Sequence, residues 1–225
     1  MLSVYAYLSE VVTKMDGIIE FCESSGLESD SIGFDVMMPQ TKDFSEFSGY
    51  VEDLNFVLAQ CPFLRVDGEH IELRTAEPGS IWFAFVVVGG ATVLLMNLAK
   101  FVDKCVEISS HLATLKQQRI QAEAMEMKQE ALSGFLEVIN AMQKDTVDKC
   151  LDELKAEIGD TKDGEEDEKA KRSIESFCNL LSLGLKVAAS FETPDDVKNL
   201  FPSENKMWAL PILPKQLISG GDGSE

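Results

Sequence analysis

Residues 81–99, IWFAFVVVGGATVLLMNLA, run for 19 positions without a charged side chain. A helix needs ~20 such residues to cross the hydrocarbon core of a bilayer. The run is therefore either a membrane span or the entry of the chain into its own core. Its first half, Trp82 to Val88, is aromatic and β-branched, which suits a strand. It follows Glu77-Pro78-Gly79-Ser80, with Pro and Gly at the two central positions of a turn. Before that turn, Ile71, Leu73 and Thr75 alternate with polar residues. Together these segments predict an antiparallel hairpin whose second strand is buried on both faces, Trp82 included. Gly89-Gly90 then breaks the strand.

After the glycines the period changes. Leu94, Leu98, Phe101, Cys105, Ile108, Leu112 and Leu115 are separated by alternating steps of 4 and 3, the heptad spacing that keeps an apolar seam toward a partner helix. The seam begins inside the apolar run and stays in phase beyond it, which favours one packing face over a lipid-facing cylinder. A span would also place residues 1–80 outside the cell, with Cys22 and Cys61 exported as thiols. The strand-to-helix reading is preferred. A membrane anchor or effector using residues 81–99 as a transmembrane helix is the alternative.

The seam slips near Arg119 and resumes at Ile120, Ala124, Met127 and Ala131; Phe135, Val138, Met142 and Val147 continue it, followed by Leu151, Leu154 and Ile158. This predicts one long helix over 91–158, bent near Gly134 or Asp145. Between 116 and 130, KQQRIQAEAMEMKQE has a thin apolar stripe and is expected to stand in solvent. The polar stretch 159–172, GDTKDGEEDEKAKR, reads as a loop. A return helix over 170–191, carrying Ile174, Phe177, Cys178, Leu181, Leu185, Ala188 and Phe191, is expected to pack antiparallel on the long helix. Thr193 reads as the N-cap of a short helix begun by Pro194, and a loose tail closes the chain.

Upstream, residues 4–24 carry apolar side chains at helical spacing. IGFDVMMP predicts a short strand through the alternation of Phe34, Val36 and Met38. Residues 44–58 predict a helix capped by Thr41 or Asp43 and ended by Pro62. The fold class expected is thus α+β. An acidic head over 1–90 has a small, mainly antiparallel sheet with flanking helices. The long helix follows over 91–158, and 159–225 completes a distal antiparallel helical hairpin.

Charge narrows the partners. The net charge is −19 over 225 residues, and residues 1–80 alone carry 15 acids against 4 bases. Such a surface repels phosphate backbones and anionic lipid headgroups, so nucleic acid is not an expected partner. Five cysteines at wide spacing, with no C-x-x-C, suit free thiols in a reducing compartment. MLSVYAYLSEVV has no basic leader and meets Glu10 early, so cytoplasmic location is expected, with membrane association as the alternative.

No catalytic, cofactor-binding or metal-binding set emerges. His70 sits beside Glu69 and Glu72, and His111 lies four residues after Glu107, with no further His or Cys in register to complete a metal site. The loop from Asp160 puts Lys162 and Gly164 where calcium needs oxygen ligands. Nucleophile-elbow and phosphate-loop motifs are absent. Met125 and Met127 suit a helix interface or an adaptable binding strip. The functional expectation is a non-enzymatic interaction or scaffold protein. It would self-associate through the seam Leu94, Leu98, Phe101, Cys105, Ile108, Leu112 and Leu115, forming a homo-oligomer that presents an acidic head to a protein partner. An enzyme working through the acidic head is a third possibility, with no residue to carry it.

Overall fold

Phe34, Val36 and Met38 alternate along the chain, and in the computed structural model all three are buried. The structure describes residues 32–76, 82–89, 92–124, 129–210 and 212. The expected helix over 4–24, the turn at 77–80, Met125, Met127 and most of the tail lie outside these residues.

The sheet has four antiparallel strands in the order β2-β3-β1-β4: β1 is Gly33–Met37, β2 His70–Ala76, β3 Trp82–Val88 and β4 Lys186–Ala189. Residues opposite one another in antiparallel strands share a face. Phe34 faces Phe85 and Ala189, while Val36 faces Phe83 and Val187. These residues form the inner face, where the rings of Phe34 and Phe85 stack with centroids 5.0 Å apart. Asp35, Met37, Trp82, Ala84 and Val86 lie on the other face. There Trp82 is 44% exposed, which corrects the expectation of a strand buried on both sides. Its composition suits a strand, but only one face has a helical layer packed on it.

Helix α1, Phe44–Gln60, starts where Asp43 accepts a hydrogen bond from the Ser45 backbone N–H at 2.7 Å. This satisfies a donor that the first helical turn leaves unpaired. Pro62 opens a 3₁₀ turn, Pro62–Leu64, that buries Phe63 and Leu64.

The predicted switch from strand to helix is present. Residues 82–88 pair with β1 and β2, and helix α2 begins at Thr92. Gly89 has φ +117°, a conformation that disfavours any side chain. The Glu69 carboxylate accepts the Leu94 N–H at 2.9 Å, placing an anion at the start of α2, where the helix dipole favours it. The alternative of a transmembrane helix over 81–99 is overturned by this strand. No helix among the described residues is long and apolar enough to cross a membrane.

The single long helix is corrected as well. There are two, α2 (Thr92–Ala124) and α3 (Gln129–Glu157). They run antiparallel: Lys104 near the start of α2 meets Glu153 and Glu157 near the end of α3, at 3.0 and 3.1 Å. Helix α3 continues through Gly134 and Asp145. Helix α4, Gly164–Leu183, returns antiparallel to α3 as expected, with Lys155 on Asp167 at 2.6 Å and Lys171 on Asp148 at 2.8 Å. Its limits differ from the predicted 170–191. Asp163 caps it by accepting the Glu165 and Glu166 N–H groups, and Glu165, Glu166 and Asp167 suit the first turn electrostatically. At the other end Gly184, φ +108°, stops the helix in the left-handed conformation, with the Leu185 N–H bonded back to Leu180 at 2.9 Å. Residues 186–189 then join the sheet beside β1.

Thr193 does not cap the short helix α5 (Asp195–Lys198), which has no side-chain cap. It is buried, and its hydroxyl donates to the Gly33 carbonyl at 2.8 Å and accepts the Gly33 N–H at 3.3 Å. A last short helix, α6, spans Glu204–Trp208. Helices α1 and α4 pack together, with the Arg172 guanidinium 4.1 Å above the Phe56 ring. One buried cluster extends from Phe34 to Met207.

Candidate functional site

The heptad seam of α2 points into the chain's own core. Leu94, Leu98, Phe101, Cys105 and Leu115 are buried, and Ile108 and Leu112 are partly buried against the same cluster. Leu95, Val102, Val106 and Ala113 are buried beside them. The apolar stripe is therefore wider than a coiled-coil seam and suits a bundle interior. Helices α3 and α4 fill it from within the chain; the Phe101 and Phe177 rings, for example, lie 5.4 Å apart.

The residues that continue the seam on α3 divide. Val147, Leu151 and Leu154 face inward and are buried, with Ile139 and Cys150 buried beside them. Phe135, Val138 and Met142 are exposed at 40%, 57% and 44%, and Ala131 is exposed one turn earlier. These four residues are spaced 4, 3 and 4 apart, so they form one stripe along the outside of the helix. Segment 131–143, ALSGFLEVINAMQ, holds a single charge, Glu137, in a chain that is 26% charged. A Cβ added at Gly134 would meet nothing within 4 Å, so the helix backbone is open to close approach there. The sequence contains both halves of this arrangement, but the period alone did not distinguish the inward seam from the outward one. The lack of charge over 131–143 was the available signal.

Chemistry-bearing side chains elsewhere are used structurally. His70 Nε2 lies 2.8 Å from the Glu72 carboxylate in an exposed pair. Glu107 pairs with Lys104 and Lys206 while His111 stands exposed beside it. Asp163 caps α4, while Asp160 and Asp167 hold Lys155; Asp167 also bonds the Thr161 hydroxyl. The bundle contributes one cysteine from each helix to a common point: Cys105, fully buried, lies against both Cys150 and Cys178. Burial and these neighbours push the Cys105 thiol well above its ordinary range, and burial raises Cys61 to about 12. Buried, protonated thiols of this kind are inert packing groups. No group of three or more His, Cys, Asp or Glu among the described residues is placed to hold a metal ion.

No protein-family description matches the chain. It is similar to the uncharacterized protein YqaP of Bacillus subtilis (strain 168), with 23% identity over 206 residues, 89% of this chain and 66% of that protein. The chain thus spans just under two thirds of that relative's length. No solved structure matches it.

Proposed function

We propose that the protein is a non-enzymatic interaction module that self-associates through the outer stripe of α3: Ala131, Phe135, Val138 and Met142. The observation that carries this reading is an exposed, heptad-spaced apolar stripe on a helix whose inner face is already satisfied. A second copy is its occupant. Two molecules of charge −19 repel wherever their acids meet, and they approach at least electrostatic cost where charge is missing, which is segment 131–143. The small residues Gly134 and Ala141 beside the stripe allow two such helices to come close.

Four apolar side chains over about 17 Å of helix make a small interface, at the low end for specific complexes. The dimer is accordingly weak, with a dissociation constant on the order of tens of micromolar. Association leaves the acidic surface of residues 32–76 available to a second protein, and nucleic acid remains disfavoured by charge. The four free cysteines among the described residues support a reducing compartment, the cytoplasm.

Sedimentation velocity across about 5–500 μM tests the reading. The sedimentation coefficient of the wild type rises with concentration, and Val138→Asp or Phe135→Asp holds it at the monomer value without lowering the melting temperature. A wild type that stays monomeric throughout, or an oligomer untouched by both substitutions, contradicts it.

A further inference from the structure

A cavity of about 200 Å³ opens between α2, α3 and α4, away from the outer stripe. Its walls include Leu112 and Lys116 from α2, Gln143 and Val147 from α3, and Glu175 and Asn179 from α4. Binding sites in helical bundles are built in this way, from side chains of facing helices. The volume is below the ~300 Å³ typical of drug-sized ligands, so any occupant is small.

The lining carries charge of both signs, Lys116 and Glu175. Lys116 donates to the Asn179 side-chain oxygen at 2.9 Å, a neutral partner, and no carboxylate forms an ion pair with it among the described residues. Burial holds its ammonium below the ordinary lysine range, and a bound anion would relieve that cost. Glu175 is exposed within the same lining, one helical turn before Asn179 and therefore ~5–6 Å away along the axis. Partial burial raises its carboxyl above the ordinary range, reinforced by Glu168 and Asp148 and opposed by Lys171. Lys116 and Glu175 line one cavity without pairing with each other.

We propose that this cavity binds a free α-amino acid with a small side chain. Its carboxylate lies on Lys116 and the Asn179 amide, its ammonium lies toward Glu175, and its side chain packs against Leu112 and Val147. A zwitterion answers both charges at once, whereas an anion or an amine alone answers one. The proposal is independent of self-association through α3.

The test is a methyl-labelled NMR titration of the full chain with glycine, L-alanine, L-serine and L-threonine, and with propionate and ethylamine as half-probes. At least one amino acid is expected to move the Leu112 and Val147 methyl signals saturably. Each half-probe should bind at least about tenfold more weakly. Lys116→Met and Glu175→Gln should each cost a similar factor. The half-probe comparison uses only wild-type protein, so it stands even if a variant misfolds. Absence of saturable shifts with all four amino acids overturns the proposal. So does propionate or ethylamine binding as tightly as the amino acid, or binding unchanged in a folded Lys116→Met.

Discussion

Gly89 lies so close to Gly68 that a Cβ added to it would stand 2.2 Å from the Gly68 carbonyl oxygen. The two glycines hold the end of β3 against the turn before β2, and Glu69, next along that turn, caps α2 through the Leu94 N–H. The change from strand to helix is thus tied to the hairpin that precedes it, by a backbone contact and a cap.

Substitutions at two glycines are expected to have opposite signs. Gly89→Ala combines a positive φ with a backbone clash and should cost more than about 2 kcal/mol. Gly134→Ala, in the interior of α3 with open space around it, should gain up to about 1 kcal/mol. Urea denaturation with matched m-values measures both.

Thr193→Val removes the hydroxyl that both donates to and accepts from the backbone of Gly33 while keeping the side-chain shape. The Gly33 carbonyl also accepts the Ser190 N–H at 3.0 Å, so the carbonyl is not orphaned. The expected cost is about 1–2 kcal/mol. A capping threonine would cost a similar amount on replacement. The distinguishing readout is hydrogen exchange: the Gly33 amide loses protection in the variant while those of α5 do not.

Asp35 titrates with a defined sign. Burial, reinforced by Glu192 and opposed by Arg74, raises its pKa. The folded protein therefore binds this proton more readily than the unfolded chain, so the group favours folding at acid pH and that contribution is lost as pH rises through the folded pKa. Asp35→Asn should stabilise the protein at pH 7 by less than about 1 kcal/mol. The difference from wild type should close as pH falls toward about 4. Melting temperatures of both proteins across pH 4–7 give the comparison.

Thiol mapping tests the bundle interior. Cys61, Cys105, Cys150 and Cys178 are buried, and both Cys61 and Cys105 have raised pKa values. Iodoacetamide at pH 8, followed by peptide mass spectrometry, should leave these four unmodified in native protein and alkylate all of them in urea.

Much of the fold was legible locally. Phe34, Val36 and Met38 announced β1, Asp43 and Pro62 bounded α1, and Gly89-Gly90 marked the end of β3. The reversal between α2 and α3 was not legible, because residues 116–130 contain neither Gly nor Pro and helix propensity runs straight through them. Leu185 and Ala188 continued the spacing of Leu181 by coincidence. Gly184 was the stop signal, and pairing with β1 made the following residues a strand. Trp82 carried a strand former's identity but no record of how many layers would cover it. The outer stripe on α3 followed the same heptad as the buried seam, so only the tertiary arrangement separates a satisfied face from an open one.

Residues 82–88 form a strand paired on both edges, and the helix that begins at Thr92 is covered by its own chain. Backbone ¹³C chemical shifts of the full chain in detergent-free buffer test it most directly. Strand shifts over Trp82–Val88, helical shifts from Thr92 onward, and a cross-strand contact between Asp35 and Ala84 are the expected result. Continuous helical shifts from Trp82 through Ala99 would contradict it.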